Sequence, residues 1–144
     1  MKRKAKIVFT VQQGGETKIL LGERITLEAT FWWLPGGSVD PGESDFEAVA
    51  RELSEELTLP ASYQSKVDAY IQSKVSPKRL EYQANAFVIL FKVVLEEKAL
   101  YELPLILDEF NQMRWFNINE LPSNMSREFE FVKKDFSNWL TSTN

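Results

Sequence analysis

Between residues 37 and 59, four of the five glutamates and the one arginine stand at spacings that serve one chemistry. Glu52, Glu55 and Glu56 stand at positions i, i+3 and i+4, so on a helix they share one face with Cβ atoms about 5–6 Å apart. Three carboxylates this close repel one another unless a positive charge lies between them. Hard divalent cations such as Mg²⁺ take oxygen ligands of this kind, often together with substrate phosphates. The stretch therefore predicts a metal site for phosphate chemistry.

The spacing resembles the box of the Nudix hydrolase family, G-x5-E-x7-R-E-U-x-E-E-x-G-U, in which U is an aliphatic residue. Eight of the nine specified positions match: Gly37, Glu43, Arg51, Glu52, Leu53, Glu55, Glu56 and Leu59. Thr58 replaces the late glycine of the box. In the family that glycine follows the helix, so the departure concerns the local turn and leaves the carboxylates in place. The preceding Leu34-Pro35-Gly36-Gly37 looks like the family's usual lead-in.

The resemblance implies a role for each part of the box. Glu55 and Glu56 would be metal ligands, and the carbonyl of Gly36 could add another. Glu52 would be a metal ligand or the base that activates water. The remaining box residues, Gly37, Glu43 and Arg51, would be structural, with Arg51 and Glu43 clamping the helix to the loop by paired hydrogen bonds.

Glu109 is the second candidate for the catalytic base. It lies on the segment before the strand that carries Trp115, where many Nudix enzymes place a further carboxylate as ligand or base. A surface carboxylate is an equally good interpretation, and Asp108 and Glu81 compete for the same role.

Two residues ahead of the box are candidates for binding substrate. Arg24 stands where related enzymes often hold a phosphate-contacting arginine, although a surface arginine is an equal alternative. Trp32 and Trp33 are neighbours on a predicted strand and so point to opposite faces. One is expected in the core, and the other, for which we choose Trp33, could stack on a nucleobase. Core packing of both remains the commoner fate of aromatic residues.

Composition narrows the class of protein. A chain of 144 residues fits a single domain over residues 1–144, with 44% hydrophobic and 26% charged residues. There is no cysteine and no histidine, which excludes disulfides, thiol nucleophiles, imidazole-ligated zinc and histidine-based triads. Any acid or base must be a carboxylate, Lys, Tyr or water. No apolar run reaches the ~18 residues of a membrane span, so a cytoplasmic location is expected.

Hydrophobic spacing predicts where the strands and helices lie. Ser44 and Glu47 form a capping box for the metal-binding helix, whose buried stripe would comprise Phe46, Val49, Ala50, Leu53 and Leu57 and which Pro60 would stop. Strands are predicted at 6–11, 18–21, 30–34, 67–75, within 81–94 and at 112–117, with a turn at 76–79, a loop over 98–107 and a terminal helix over 126–140. Strands interleaved with two helices, and the family resemblance, both indicate an α/β fold: an α/β/α sandwich with a mixed sheet between helices.

The resemblance implies a Mg²⁺- or Mn²⁺-dependent pyrophosphohydrolase that acts on a nucleoside triphosphate or a nucleotide sugar by water attack at phosphorus. The branch that attacks the sugar carbon of GDP-mannose relies on a histidine, which this chain lacks. A nucleotide-sensing module without catalysis is an alternative, although such domains typically lose box carboxylates. An RNA 5′-pyrophosphohydrolase is another, although the net charge of −4 disfavours nucleic acid as a partner. Homodimers are common among relatives, so the oligomeric state is open.

Overall fold

The computed structural model describes residues 1–103, 106–107 and 110–142. Its strands are β1 (Lys2–Gln13), β2 (Glu16–Ile25), β3 (Thr30–Trp33), β4 (Gly36–Ser38), β5 (Leu57–Thr58), β6 (Lys78–Gln83), β7 (Ala86–Leu95), β8 (Ile106–Leu107) and β9 (Gln112–Asn117). Its helices are α1 (Asp45–Glu56), α2 (Ala61–Gln72), α3 (Ala99–Glu102) and α4 (Arg127–Thr141). Among the described residues, no helix is long and apolar enough to cross a bilayer.

The main sheet is mixed. Its strands follow the order β3-β2-β1-β7-β6, with β4 paired to β1 and β9 paired to β2. The β1–β7 pair is parallel, whereas the other named pairs of this sheet are antiparallel. In the β1–β4 pair, Lys4 lies opposite Ser38 and Lys6 lies opposite Gly36. The register therefore places the first half of β1 beside the glycine turn of the predicted site.

Alternation along β1 divides the core into two layers. Ile7 and Phe9 join one buried cluster, to which α1 and α2 contribute Leu53 and Val67 among others. Val8 points to the opposite face and joins the cluster formed with α4. That helix buries Phe129, Val132, Phe136 and Leu140. Helices thus cover both faces of the sheet, which confirms the predicted α/β/α sandwich.

Helix α1 begins as predicted but ends earlier. The Ser44 hydroxyl accepts from the Glu47 amide at 3.1 Å, and the Glu47 carboxylate accepts from the Ser44 amide at 3.0 Å. The helix ends at Glu56, because Leu57 is already extended, with φ −136° and ψ 146°. The prediction that Pro60 stops this helix is therefore wrong, because Pro60 is instead the N-cap of α2.

Thr58 fits this early exit. It lies in β5, where it pairs with Ile106 of β8. An extended exit does not need a left-handed residue, so a β-branched threonine is suitable where the family's box has glycine. One position of the predicted apolar stripe is also wrong, since Ala50 is exposed and Ala48 is buried instead.

The middle of the chain departs most from prediction. The segment 67–75, predicted as a strand, belongs mainly to α2, which buries Tyr63 and Val67 at the i, i+4 spacing of a helix. The segment 76–79, predicted as a turn, already enters β6. The chain instead reverses between β6 and β7, where Asn85 has φ +59°. The predicted loop over 98–107 contains α3 and β8.

Candidate active site

Gly36 fixes the turn beside β1. Its φ is +129°, and a Cβ added there would lie 2.1 Å from the carbonyl oxygen of Ala5. Only glycine therefore fits, because it has no Cβ to clash and readily adopts positive φ. The preceding Pro35 carbonyl accepts from the Ile7 amide at 2.9 Å. These contacts hold the glycine turn against the central strand.

Glu56 is the most enclosed ionisable group of the box. Its side chain is 0% exposed. One carboxylate oxygen accepts from the Gly36 amide at 2.6 Å, and the other is paired with the Arg24 guanidinium. Burial raises the pKa of Glu56 to about 7, although the Gly36 amide, Lys6 and Arg24 all favour the charged form. Arg24, a predicted phosphate contact, thus lies directly against a predicted metal ligand.

Lys6 is a site residue that sequence reasoning did not single out. Its ammonium is buried and donates to the carbonyls of Leu34 at 3.3 Å and Gly36 at 3.1 Å. Burial lowers the pKa of Lys6 to about 8, against the opposing charges of Glu128 and Glu56. The signal was available in the sequence: lysines at 2, 4 and 6 alternate along a strand and so share one face.

Arg51 joins the helix to the loop, which is the role that the family resemblance implies for it. It donates to both oxygens of Glu43, at 2.8 and 3.0 Å, and to the Ser38 carbonyl at 3.0 Å. The hydrogen bonds from Arg51, followed by the Asp40 amide, lower the pKa of Glu43 to about 2. Arg51 also donates to Glu52 at 3.0 Å. One guanidinium therefore orients the loop, the helix and a candidate catalytic carboxylate together.

Glu52 and Glu55 differ in their surroundings. A Cβ added to Gly37 would lie 2.5 Å from the carboxylate carbon of Glu52, so the glycine leaves the space that this side chain fills. Glu55 lies further out, with a side chain 49% exposed and Arg51 at 3.4 Å. The solvent exposure of the three box glutamates thus increases from fully buried Glu56, through part-buried Glu52, to exposed Glu55.

The candidate metal ligands are carboxylate oxygens and one backbone carbonyl oxygen. These are the types of atom that a hard divalent cation prefers. Within the part of the chain that the structure describes, no three carboxylates are gathered into a metal-binding group. Instead, each of the three box glutamates is hydrogen-bonded to an arginine. The box glutamates are therefore candidate Mg²⁺ ligands by chemical type, and each is held by an arginine rather than gathered with the others.

A cavity of about 930 Å³ opens beside the glycine turn. This volume lies within the ~300–1,000 Å³ typical of small-molecule sites. Its lining includes Lys6, Arg24, Phe31, Trp33, Gly36 and Glu128. Cationic groups lie near the turn, and aromatic side chains form part of the remaining wall. The arrangement can accommodate a nucleoside whose phosphates lie against the turn.

Both tryptophans of β3 are buried. Trp32 packs edge-on against Phe116 with ring centroids 4.9 Å apart. Trp33 also lines the cavity and donates its indole N–H to Glu128 at 3.0 Å. Neither is exposed to solvent, and the hydrogen bond orients the Trp33 ring. No sequence signal pointed to Glu128, which comes to the cavity only through the packing of α4.

Of the other carboxylate candidates, only Glu81 is among the described residues. Glu109 and Asp108 lie outside the described residues. Glu81 is exposed on β6 and does not line the cavity. Among the described residues, Glu52 is therefore the candidate base nearest the glycine turn.

Parts of this chain are similar in sequence to known proteins. A Bacillus subtilis (strain 168) protein, whose name proposes an 8-oxo-dGTP diphosphatase, is 39% identical over 66 residues, which are 46% of this chain and 43% of that protein. The match thus spans less than half of the Bacillus relative. The RNA pyrophosphohydrolase of Rickettsia bellii (strain OSU 85-389) is 29% identical over 118 residues, covering 75% of this chain and 71% of that protein.

A solved structure supports the fold. The MutT protein from Methanosarcina mazei Go1 superposes with a TM-score of 0.65 at 20% identity, covering 98% of this chain and 96% of that chain. The family profile described as NUDIX domain matches residues 1–140. Because that match spans nearly the whole chain, the protein belongs to the Nudix hydrolase family.

Proposed function

We propose that the protein is a divalent-metal-dependent pyrophosphohydrolase. Its substrate is a nucleoside diphosphate linked to another group, in a nucleoside triphosphate or a nucleotide sugar. The observation that carries this proposal is the contact between buried Glu56 and the Gly36 amide, at the edge of the 930 Å³ cavity. It places the carboxylate helix and a nucleotide-sized cavity on either side of one turn.

The proposed reaction divides the work among the box residues. Glu55, Glu56, the Gly36 carbonyl and Glu52 would hold Mg²⁺ or Mn²⁺. A bound cation of this kind neutralises a diphosphate and lowers the pKa of an attacking water. Glu52 accepts the proton of that water, unless Glu109 does so. Arg51 keeps Glu52 oriented.

Substrate binding follows from the charges around the cavity. Arg24 and Lys6 face it from β2 and β1, near the position proposed for the diphosphate. Their positive charges attract the phosphates and stabilise the negative charge that develops during attack at phosphorus. Trp33 belongs to the wall that would contact the nucleoside.

A screen with product identification tests the proposal. Nucleoside triphosphates, nucleotide sugars and dinucleoside polyphosphates are incubated with Mg²⁺ or Mn²⁺, and then with excess chelator. We expect release of a nucleoside monophosphate in the presence of metal, and none with chelator. An absence of turnover across the panel, with nucleotides still binding, would favour the sensing module.

RNA is the second candidate substrate class, favoured by the match to a Rickettsia RNA pyrophosphohydrolase. Short 5′-triphosphorylated RNA should then release pyrophosphate faster than the matching nucleoside triphosphate does. Equal or slower release from RNA would favour the small nucleotide.

A further inference from the structure

A second, smaller pocket adjoins the cavity along the start of β1. It measures about 180 Å³, and its lining includes Lys2, Lys4, Tyr82, Arg127, Glu128 and Phe131. Lys4, Arg127 and Glu128 line both pockets, so the two meet at these residues. The volume is below the ~300–1,000 Å³ of sites that enclose a whole ligand. The smaller pocket therefore suits a single chemical group of a ligand held next door.

The charge of the smaller pocket is positive. Lys2, Lys4 and Arg127 face a single carboxylate, Glu128. That carboxylate is already paired with the Lys4 ammonium and accepts from the Trp33 indole at 3.0 Å. The cations of Lys2 and Arg127 remain as an excess. Such a lining favours an anionic group over a neutral one.

The lining also contains a buried hydroxyl that has no hydrogen-bond partner within the described part of the chain. Tyr82 is 7% exposed, and its ring lies under the Lys4 ammonium, 5.9 Å from the centroid. Among the described residues, nothing hydrogen-bonds to the Tyr82 hydroxyl. Buried polar groups are almost always paired, so an exception in a pocket wall indicates a partner from outside the chain. A phosphate oxygen would accept from this hydroxyl.

Ser126 repeats this feature where α4 begins. It is 6% exposed and is the N-cap of a 15-residue helix, yet its side chain makes no capping bond. Its hydroxyl is likewise without a partner among the described residues, and it lines the larger cavity. The N–H groups of the first helical turn, which carry partial positive charge, begin at the same place. Two unpaired hydroxyls thus flank the junction of the pockets.

We propose that the smaller pocket binds a phosphate attached to the 3′ oxygen of the substrate's nucleoside. This inference rests on the proposed function, which places the nucleoside in the larger cavity and its 5′ diphosphate at the glycine turn. Along β1, Lys6 lies at Gly36, Lys4 at Ser38 and Lys2 beyond, with about 6.5–7 Å between alternate residues. With the diphosphate at the glycine turn, the smaller pocket lies on the far side of the nucleoside, where the ribose hydroxyls are. Of these hydroxyls, the 3′ oxygen is the one that carries a phosphate in a nucleic-acid chain.

Two kinds of substrate carry such a phosphate. In a 5′-phosphorylated RNA it is the first internucleotide linkage, and in a small nucleotide it is a 3′-phosphomonoester. Phe131 lines the same pocket and is 57% exposed, so it offers an aromatic face on which a following base could stack. The chemistry that the pocket recognises is the same in both cases.

Calorimetric titration with ligands that lack the scissile anhydride tests the site without turnover. The probes are AMP, adenosine 3′,5′-bisphosphate and the dinucleotide pApA, each with its guanosine counterpart, in Mg²⁺ buffer. We expect the 3′-phosphate to tighten binding at least about tenfold, as charge-assisted hydrogen bonds do. In Tyr82→Phe and Lys2→Gln that gain should fall to about threefold or less. Tyr101→Phe and Lys134→Gln, which change exposed residues outside both pockets, should keep the whole gain.

The outcomes separate the alternatives. A gain for both the bisphosphate and pApA identifies an internucleotide phosphate, and a gain for the bisphosphate alone identifies a small 3′-phosphorylated nucleotide. The site is overturned if the nucleoside monophosphate and the bisphosphate bind equally tightly with both bases. It is also overturned if the gain in affinity survives in both Tyr82→Phe and Lys2→Gln, or if only pApA shows a gain. Thermal melting of each variant verifies folding. In the wild-type protein, normal triphosphate hydrolysis without any gain from the 3′-phosphate refutes this site alone. A gain without any hydrolysis refutes the pyrophosphohydrolase proposal alone.

Discussion

The Glu56 carboxylate accepts a hydrogen bond from the Gly36 amide at 2.6 Å, which joins the last residue of α1 to the turn that begins β4. Both residues are buried. Breaking this hydrogen bond would leave a buried donor without a partner, which costs free energy. The bond therefore fixes the helix and the turn relative to each other. The two conspicuous parts of the box, glycines and glutamates, are therefore a single structural unit.

The two glycines of this turn should respond differently to alanine. At Gly36 a methyl group would meet the Ala5 carbonyl at 2.1 Å with φ at +129°, and neither backbone can yield easily. We expect Gly36→Ala to lower the free energy of unfolding by at least about 2 kcal/mol. At Gly37 the three atoms nearest to the methyl would all belong to the flexible end of Glu52. Gly37→Ala should thus lower kcat/KM about 10–100-fold with a stability change below about 1 kcal/mol.

Urea unfolding and steady-state kinetics measure the two effects. Gly42→Ala is the matched control, since Gly42 also has positive φ, +80°, but its added Cβ would contact nothing within 4 Å. It should cost backbone strain alone and leave kcat/KM unchanged. An equal loss of stability at Gly36 and Gly37 would contradict the distinction between them.

Glu55→Gln should nearly abolish turnover without loss of fold. Glu55 is 49% exposed, so neutralising it removes a proposed metal ligand but disturbs no buried contact. We expect kcat/KM to fall by more than about 100-fold, because even residues that only support a metal ligand cost 10–100-fold. Hydrolysis assays across a range of Mg²⁺ concentrations measure the loss. Glu120→Gln, at another exposed glutamate, is the control, and metal-dependent activity retained in Glu55→Gln would refute the ligand role.

How much of the fold the sequence could predict depended on whether local signals agreed with long-range packing. The capping box of Ser44 and the apolar spacing of α1 are local, and the helix begins where they predict. The α2 region has few strong helix signals, and the sequence of residues 67–75 is typical of a strand. Its helical state depends on tertiary packing, in which Tyr63 and Val67 join the same buried cluster. The early end of α1 was not predictable either, since it depends on β5 pairing with the distant β8.

Arg24 should stabilise the fold through Glu56. The guanidinium is paired with a carboxylate that is 0% exposed, while Arg24 itself is 29% exposed. Arg24→Gln leaves the buried carboxylate less compensated, and we expect a loss of about 1–3 kcal/mol in the free energy of unfolding, measured in chelator. The double variant Arg24→Gln/Glu56→Gln should regain part of that loss. If the double variant loses as much as the sum of the single variants, the pairing contributes nothing.

Acid stability should depend on Glu43. Its folded-state pKa is lowered to about 2 from an ordinary value of 4.5, chiefly by hydrogen bonds from Arg51. The folded state therefore binds this proton less readily than the unfolded state, so the pairing stabilises the protein fully above about pH 4.5 and ceases to do so as the pH falls toward 2. Urea unfolding at pH 3 and pH 7 should show a smaller pH dependence in Glu43→Gln than in the wild type.

Exchanging the charges provides the control for this pair. Glu43→Arg and Arg51→Glu should each destabilise the protein, and the double variant should recover part of the loss. The recovery is expected to be incomplete, because Arg51 also donates to the Ser38 carbonyl and to Glu52. No recovery at all would contradict the clamp.

The candidate site was predictable only in its sequence-contiguous part. The box glutamates and Arg51 lie on one helix, where spacing alone determines which side chains are neighbours. Lys6 and Glu128 reach the cavity from elements far apart in sequence, through the β1–β4 register and the packing of α4. Burial of Trp33 had the same cause, since its indole partner Glu128 lies 95 residues away along the chain.

The parallel pairing of β1 with β7 has a consequence for how the protein folds. Lys2 pairs with Ala86 and Val11 with Leu95, so the two central strands are joined by a connection that contains both α1 and α2. The entropy of closing so long a loop is lost before the pairing offers any compensation. The β1–β2 hairpin, joined through Gly14 and Gly15, can form early, whereas the central pair is expected to form late and to limit the folding rate. Destabilising β7 should then slow refolding more than destabilising the outer strand β3 does.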